Sequence, residues 1–142
     1  MTPSENRGRR VLLLDDDVSL LSSLARFLEK CDFQVLTAAH IDEAMDLLHR
    51  ERVHALILDV RFTDARDLDR TGLDVLAFAR LNPALDAVPI AILTGGFLTA
   101  AEIEMIQRHQ ASLFSKPTPF NILLAWLHDA LPPGSTFRSE QL

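Results

Sequence analysis

The sequence predicts an α/β fold: a doubly wound, five-stranded parallel sheet with five helices, in a three-layer α/β/α sandwich. Three observations carry that expectation. Short runs rich in Val, Ile and Leu alternate five times with longer stretches of helical spacing. The runs are continuously apolar rather than alternating, as strands covered on both faces require. Several runs then stop at a polar or charged residue, at the carboxyl end where open parallel sheets collect their ligands.

The elements follow in order. Val11–Leu14 is the first strand, and the stretch from Val18 to Lys30 is a helix with Leu20, Leu21, Leu24, Phe27 and Leu28 on one side. Gln34–Thr37 is the second strand, followed by a helix over Asp42–Arg50 buried through Ala44, Met45, Leu47 and Leu48. His54–Asp59 is the third strand, and Gly72–Leu81 the third helix, with Leu73, Leu76, Ala77 and Phe78 inward. Pro89–Thr94 is the fourth strand, after which Thr99 and Glu102 have capping-box spacing and start the fourth helix. Ala111–Ser115 is the fifth strand and Phe120–Leu131 the last helix, closed by Pro132, Pro133 and Gly134. Residues 1–9 read as a flexible tail, 10–131 as one domain, and 132–142 as a tail or truncated linker too short to form an effector domain.

Composition narrows the function classes. Hydrophobic residues make up 48% of the 142 and charged residues 24%, as in an ordinary globular protein. No apolar run is long enough to span a bilayer, and the N-terminus has no signal-peptide pattern, so the cytoplasm is expected. Cys31 is the only cysteine and reads as a small apolar residue at a helix end, which excludes an intrachain disulfide. His40, His49, His54, His109 and His128 lack ligand spacing and read as surface or boundary residues. Segment 11–131 holds ten basic and eighteen acidic residues, about −8 in net charge. That balance disfavours direct binding to nucleic acid or anionic lipid. The arginines Arg7, Arg9 and Arg10 read as a solvated, mobile end.

The strand ends bring together Asp15, Asp16 and Asp17, then Asp59, Thr94 with Gly95 and Gly96, and Ser115, Lys116 and Pro117. Asp17, just ahead of the first helix, reads as its N-cap. Clustered carboxylates repel unless a cation neutralises them, and an all-oxygen set suits Mg²⁺, with Mn²⁺ as a substitute. A carboxylate is also a nucleophile toward phosphorus, with metal, lysine and hydroxyl as helpers. The chemistry points to an aspartyl phosphate. Singly, each residue also has a plainer reading as a cap, a solvated acid or a surface lysine.

Over about residues 10–131 the chain resembles the response-regulator receiver domain of two-component phosphorelays. The resemblance rests on Val11–Asp17, Leu56–Asp59, Ile92–Gly95 and Phe114–Pro117, in that order. It implies a flavodoxin-like sheet of order 2-1-3-4-5. It also implies that Asp59 accepts a phosphoryl group from a histidine kinase, a histidine phosphotransfer protein or a small phosphodonor. Asp16 and Asp59 would bind the metal directly, Asp15 mainly through water, and Arg61 through its main-chain carbonyl. Lys116 would pair with Asp59, Thr94 would hold the phosphoryl group, and the Lys116–Pro117 peptide would be cis. The resemblance implies a phosphoacceptor signalling domain rather than an enzyme. Such a domain catalyses only its own phosphorylation and dephosphorylation, signals by conformational change to an output partner, and can dimerise when phosphorylated.

The chain departs from the family pattern in two places. Phe62 and Thr63 replace a Met-Pro pair, and the next glycine, Gly72, lies thirteen residues past Asp59, so Asp64–Arg70 reads as an exposed, charged insertion or a lid. Leu113 stands where many receivers place a switching Tyr or Phe, which leaves movement of the fourth helix as the output route. Two other readings stay open: a pseudo-receiver that binds partners without phosphorylation, and a phosphatase of the haloacid-dehalogenase type. For the second, Asp15, Asp17 and Ser19 imitate an opening motif, but Asp59 is left without a role.

Overall fold

The computed structural model describes residues 6–62 and 70–132. Strands and helices alternate: β1 (Arg10–Leu14), α1 (Val18–Lys30), β2 (Gln34–Ala38), α2 (Ile41–Arg50), β3 (Ala55–Asp59), α3 (Gly72–Leu81), β4 (Ile90–Thr94), α4 (Ala100–Arg108), β5 (Ser112–Ser115) and α5 (Phe120–Ala130). All pairings are parallel, in the order β2-β1-β3-β4-β5. Boundaries differ from the sequence-based ones by about a residue, the usual scatter of element ends.

Side chains alternate across a strand, so each central strand feeds two cores. Leu12, Leu14, Leu56, Leu58, Ile90 and Ile92 pack with residues of α2, α3 and α4. Val11, Leu13, Ala55, Ile57, Ala91 and Leu93 pack with residues of α1 and α5. This is why β1, β3 and β4 read as unbroken apolar runs. The edge strands are covered less: β2 is half exposed, and β5 alternates, with Leu113 44% exposed. Among the described residues no helix is long and apolar enough to cross a membrane.

Local chemistry sets the helix starts. Asp17 accepts the Leu20 N–H at 3.1 Å and caps α1. Thr99 and Glu102 form the expected reciprocal box at α4, with Glu102 N–H to Thr99 Oγ1 at 3.1 Å and Thr99 N–H to Glu102 Oε1 at 2.9 Å. Thr71 and Asp74 build another at α3. Arg80 reaches from the end of α3 to the carbonyl oxygens of His109 and Val88, both at 2.7 Å, and so ties α3 to the turns before β4 and β5.

The N-terminal side corrects one expectation. Arg9, read from sequence as part of a solvated end, is buried, as is Asn6 within the expected tail of residues 1–9. Asn6 Nδ2 donates to Cys31 O at 2.7 Å, and the Arg9 guanidinium donates to Pro132 O. These side chains supply donors to carbonyls beyond the ends of α1 and α5, where no helical partner exists. Residues 1–5 and 133–142 of the expected tails, and residues 64–69 of the expected insertion, lie outside the described residues.

Gly72 is where the fold meets the site. A Cβ there would stand 1.8 Å from the carbonyl oxygen of Asp59 and 2.8 Å from its carbonyl carbon, and the Gly72 N–H donates to Val60 O at 3.0 Å. The start of α3 therefore presses directly on the backbone that carries Asp59. Gly72→Ala forces those backbones apart and is expected to destabilise the protein by about 1–3 kcal/mol. Chemical denaturation checks the loss, and the Asp59 amide resonance should shift more than those of α5.

Candidate functional site

Parallel alignment places the strand ends together. Asp15 and Asp16 follow the last residue of β1, Asp59 ends β3, Thr94 ends β4 and Lys116 follows β5. One carboxylate oxygen from each of Asp15, Asp16 and Asp59 lies within 4.8 Å of the others. Lys116 Nζ stands 2.7 Å from Asp15 Oδ2 and 3.3 Å from Asp59 Oδ1. Asp15 Oδ1 accepts the Asp17 N–H at 2.9 Å, which fixes the turn leaving β1. The structure thus gathers Asp15, Asp16, Asp59 and Lys116 in one small space, while Asp17 serves as a helix cap.

Thr94 is buried beside this group, but its hydroxyl is occupied locally. Thr94 Oγ1 accepts the Gly96 N–H and donates to Gly96 O, both at 3.3 Å. The Lys116 N–H donates to Thr94 O at 2.8 Å, so the β4 and β5 ends are bonded at the residues that matter. The Lys116–Pro117 peptide is cis.

Burial removes water from Asp59, and the neighbouring Asp15 carboxylate adds repulsion. Both effects disfavour its charge, the Lys116 ammonium offsets them only in part, and Asp59 is pushed up to about 7. Burial depresses Lys116, but its hydrogen bond to Asp15 and the charges of Asp59 and Asp15 together outweigh this and raise it. Three acids facing one lysine leave negative charge in excess. The set fits a hard divalent cation: three oxygen donors converge, and no soft ligand is among them.

Arg61 holds a place that sequence reasoning did not assign to its side chain. Its Nη1 donates to Glu102 Oε2 at 2.9 Å, and its Nη2 to Glu102 Oε1 at 2.7 Å and to Phe97 O at 2.9 Å. The residue two positions past Asp59 is therefore forked onto the first turn of α4. Nothing in the local pattern signals this, because the partner lies 41 residues away. A mainly apolar groove of about 450 Å³ opens beside Lys116, lined by Leu20, Leu24, Pro117, Phe120 and Leu123 among others. A larger hollow of about 780 Å³, with Arg52, His54 and Pro89 in its wall, lies at the opposite edge where the strands begin. Chemistry rather than volume identifies the site.

Asp59 holds its proton more tightly when folded than when unfolded. Its contribution to stability therefore falls as pH rises from its ordinary 3.8 to about 7, and is level above that. Asp59→Asn removes this penalty. In metal-free protein the variant is expected to gain stability over wild type progressively from pH 4 to pH 7, with a plateau beyond, as read by urea unfolding across pH.

Comparison with known proteins agrees with this geometry. The family model described as the response regulator receiver domain matches residues 11–128. The probable transcriptional regulator ycf29 of Cyanophora paradoxa is 30% identical over 112 residues, which is 79% of this chain and 50% of that protein. The chain spans half of the length of that relative and less than a third of several other transcriptional regulators that it matches. Among solved structures, chemotaxis protein CheY4 of Vibrio cholerae matches with a TM-score of 0.74 at 24% identity, covering 87% of this chain and 98% of that one. A response regulator of Burkholderia pseudomallei, solved with a phosphorylated aspartic acid, a calcium ion and citrate, matches with a TM-score of 0.69 at 26% identity. It covers 94% of this chain and 72% of that one. A family match running from β1 to α5, on a sheet of this order with acids at these strand ends, places the chain in the response-regulator receiver domain family.

Proposed function

We propose that the chain is the phosphoacceptor of a two-component phosphorelay and takes a phosphoryl group on Asp59. The observation that carries this reading is the lysine shared by the buried carboxylates of Asp15 and Asp59, at 2.7 and 3.3 Å, with Asp16 beside them. The donor is the phosphohistidine of a histidine kinase or phosphotransfer protein, or a small acyl phosphate. An Asp59 oxygen attacks phosphorus, the P–O bond forms, the P–N bond to the donor imidazole breaks, and that imidazole takes up a proton. Asp59 is a more basic carboxylate than an exposed one, which favours it as nucleophile once ionised. Mg²⁺ held by Asp15, Asp16, Asp59 and the Arg61 carbonyl would supply the charge neutralisation that an in-line transfer needs.

The chain's own residues divide the remaining work. The Lys116 ammonium, which contacts Asp15 and Asp59 at rest, would pair with the transferred oxygens. Thr94 exchanges its weak contacts to Gly96 for the phosphoryl group and draws the β4–α4 loop inward. The groove lined by Leu20, Phe120 and Leu123 offers the phosphodonor protein an approach beside the lysine. The Burkholderia response regulator, solved with a phosphorylated aspartic acid and a calcium ion, supports this reading. Output passes to a partner or a following domain, in line with the regulators that share this segment.

Acetyl phosphate with Mg²⁺ is expected to add one phosphoryl group to the wild-type chain, seen by intact mass. Asp59→Asn and Asp16→Ala should show no gain, and an unchanged gain in Asp59→Asn would refute the assignment. Lys116→Ala loses a charge-assisted contact worth roughly 1.5–3 kcal/mol, so its phosphorylation should slow by about one to two orders of magnitude while the fold is retained.

A further inference from the structure

Leu113 on β5 is half exposed and carries no ring, so the state of Asp59 needs a route to α4 that does not use an aromatic side chain there. The Arg61 fork is such a route. Val60, between Asp59 and Arg61, is fully buried, its N–H donates to Leu93 O at 3.3 Å, and its carbonyl accepts the Gly72 N–H at 3.0 Å. A shift of the Asp59 backbone therefore passes to Arg61 with little slack. At the other end, Glu102 is held twice: its Oε1 accepts the Thr99 N–H at the helix cap as well as the Arg61 Nη2–H. The bond from Arg61 to Phe97 O adds the loop before α4, whose Phe97 side chain is 84% exposed.

We propose that Arg61 is a positioning residue, which couples the chemical state of Asp59 to helix α4 and the Phe97 loop through its fork to Glu102. The inference rests on the phosphoacceptor reading of Asp59. A guanidinium meeting one carboxylate through two parallel bonds resists both sliding and rotation, which a single lysine contact does not. The fork thus acts as a strut between the end of β3, which carries the phosphoacceptor, and the helix that would be read by a partner. The Arg61 side chain takes no part in the transfer itself. Glu102 lies outside the metal-binding set, so the metal affinity of a Glu102 variant serves as a control.

The test is ¹H–¹⁵N NMR of wild type, Arg61→Ala and Glu102→Gln with Mg²⁺, before and after beryllofluoride. Glu102→Gln keeps a cap acceptor for Thr99 but loses the charge and the fork. Wild type should show shifts at residues 58–60 and 116, and also across 97–108. Both variants should keep the first set and lose most of the second, and Glu102→Gln, which lies outside the metal-binding set, should leave Mg²⁺ affinity unchanged. Arg61→Lys should restore only part of it. A wild-type response across 97–108 in Arg61→Ala overturns the proposal, as does a loss in Arg61→Ala that Glu102→Gln does not share. If wild type shows no shift at 58–60, the phosphoacceptor reading fails and the inference falls with it.

Discussion

The crowding of buried carboxylates around one ammonium governs the C-terminal edge of this sheet. Asp15 and Asp59 are 4% and 5% exposed, so water does little to screen them from each other. Lys116 contacts both and cannot neutralise both, and Asp16 adds a third charge nearby. Such a site is unfavourable when empty and complementary to a cation. With a cation in place, it would suit the oxygens of a transferring phosphoryl group, as the proposed function requires. The same imbalance that costs stability makes Asp59 more basic, which the proposed phosphoryl transfer would use.

The fold exists around that edge in a concrete sense. A parallel sheet brings β1, β3, β4 and β5 to a common end without any turn having to connect them. Two apolar cores, one on each face, fix the strands tightly enough for like charges to be held together. Gly72 lets α3 begin against the Asp59 carbonyl, and the Lys116 N–H clasps Thr94 O across the last two strands. The residues of the site are therefore fixed to the ends of the sheet, and Arg61 reaches from there to the loop before α4.

Much of this is legible in the sequence because it is local or periodic. The apolar runs of β1, β3 and β4 announce doubly covered strands, and the residues that end them announce the site. Thr99 with Glu102 and Asp17 before α1 declare helix starts through chemistry confined to a few residues. What stays hidden depends on partners far away in the chain. Arg61 looks like any loop arginine until Glu102 arrives beside it, and Arg80 shows no sign of the carbonyls it gathers. Arg9 reads as part of a basic end, yet it is buried against Pro132 because a strand start beside a helix end needs a donor. The edge character of β5 is likewise a consequence of strand order, which periodicity does not encode.

The carboxyl resonance of Asp59, followed by ¹³C NMR through a pH titration, tests the charge-crowding account most directly. In metal-free protein Asp59 should titrate near 7, and saturating Mg²⁺ should bring it down into or below the ordinary carboxylate range. A metal-free Asp59 that titrates near 4, or one that Mg²⁺ leaves unmoved, would contradict the account.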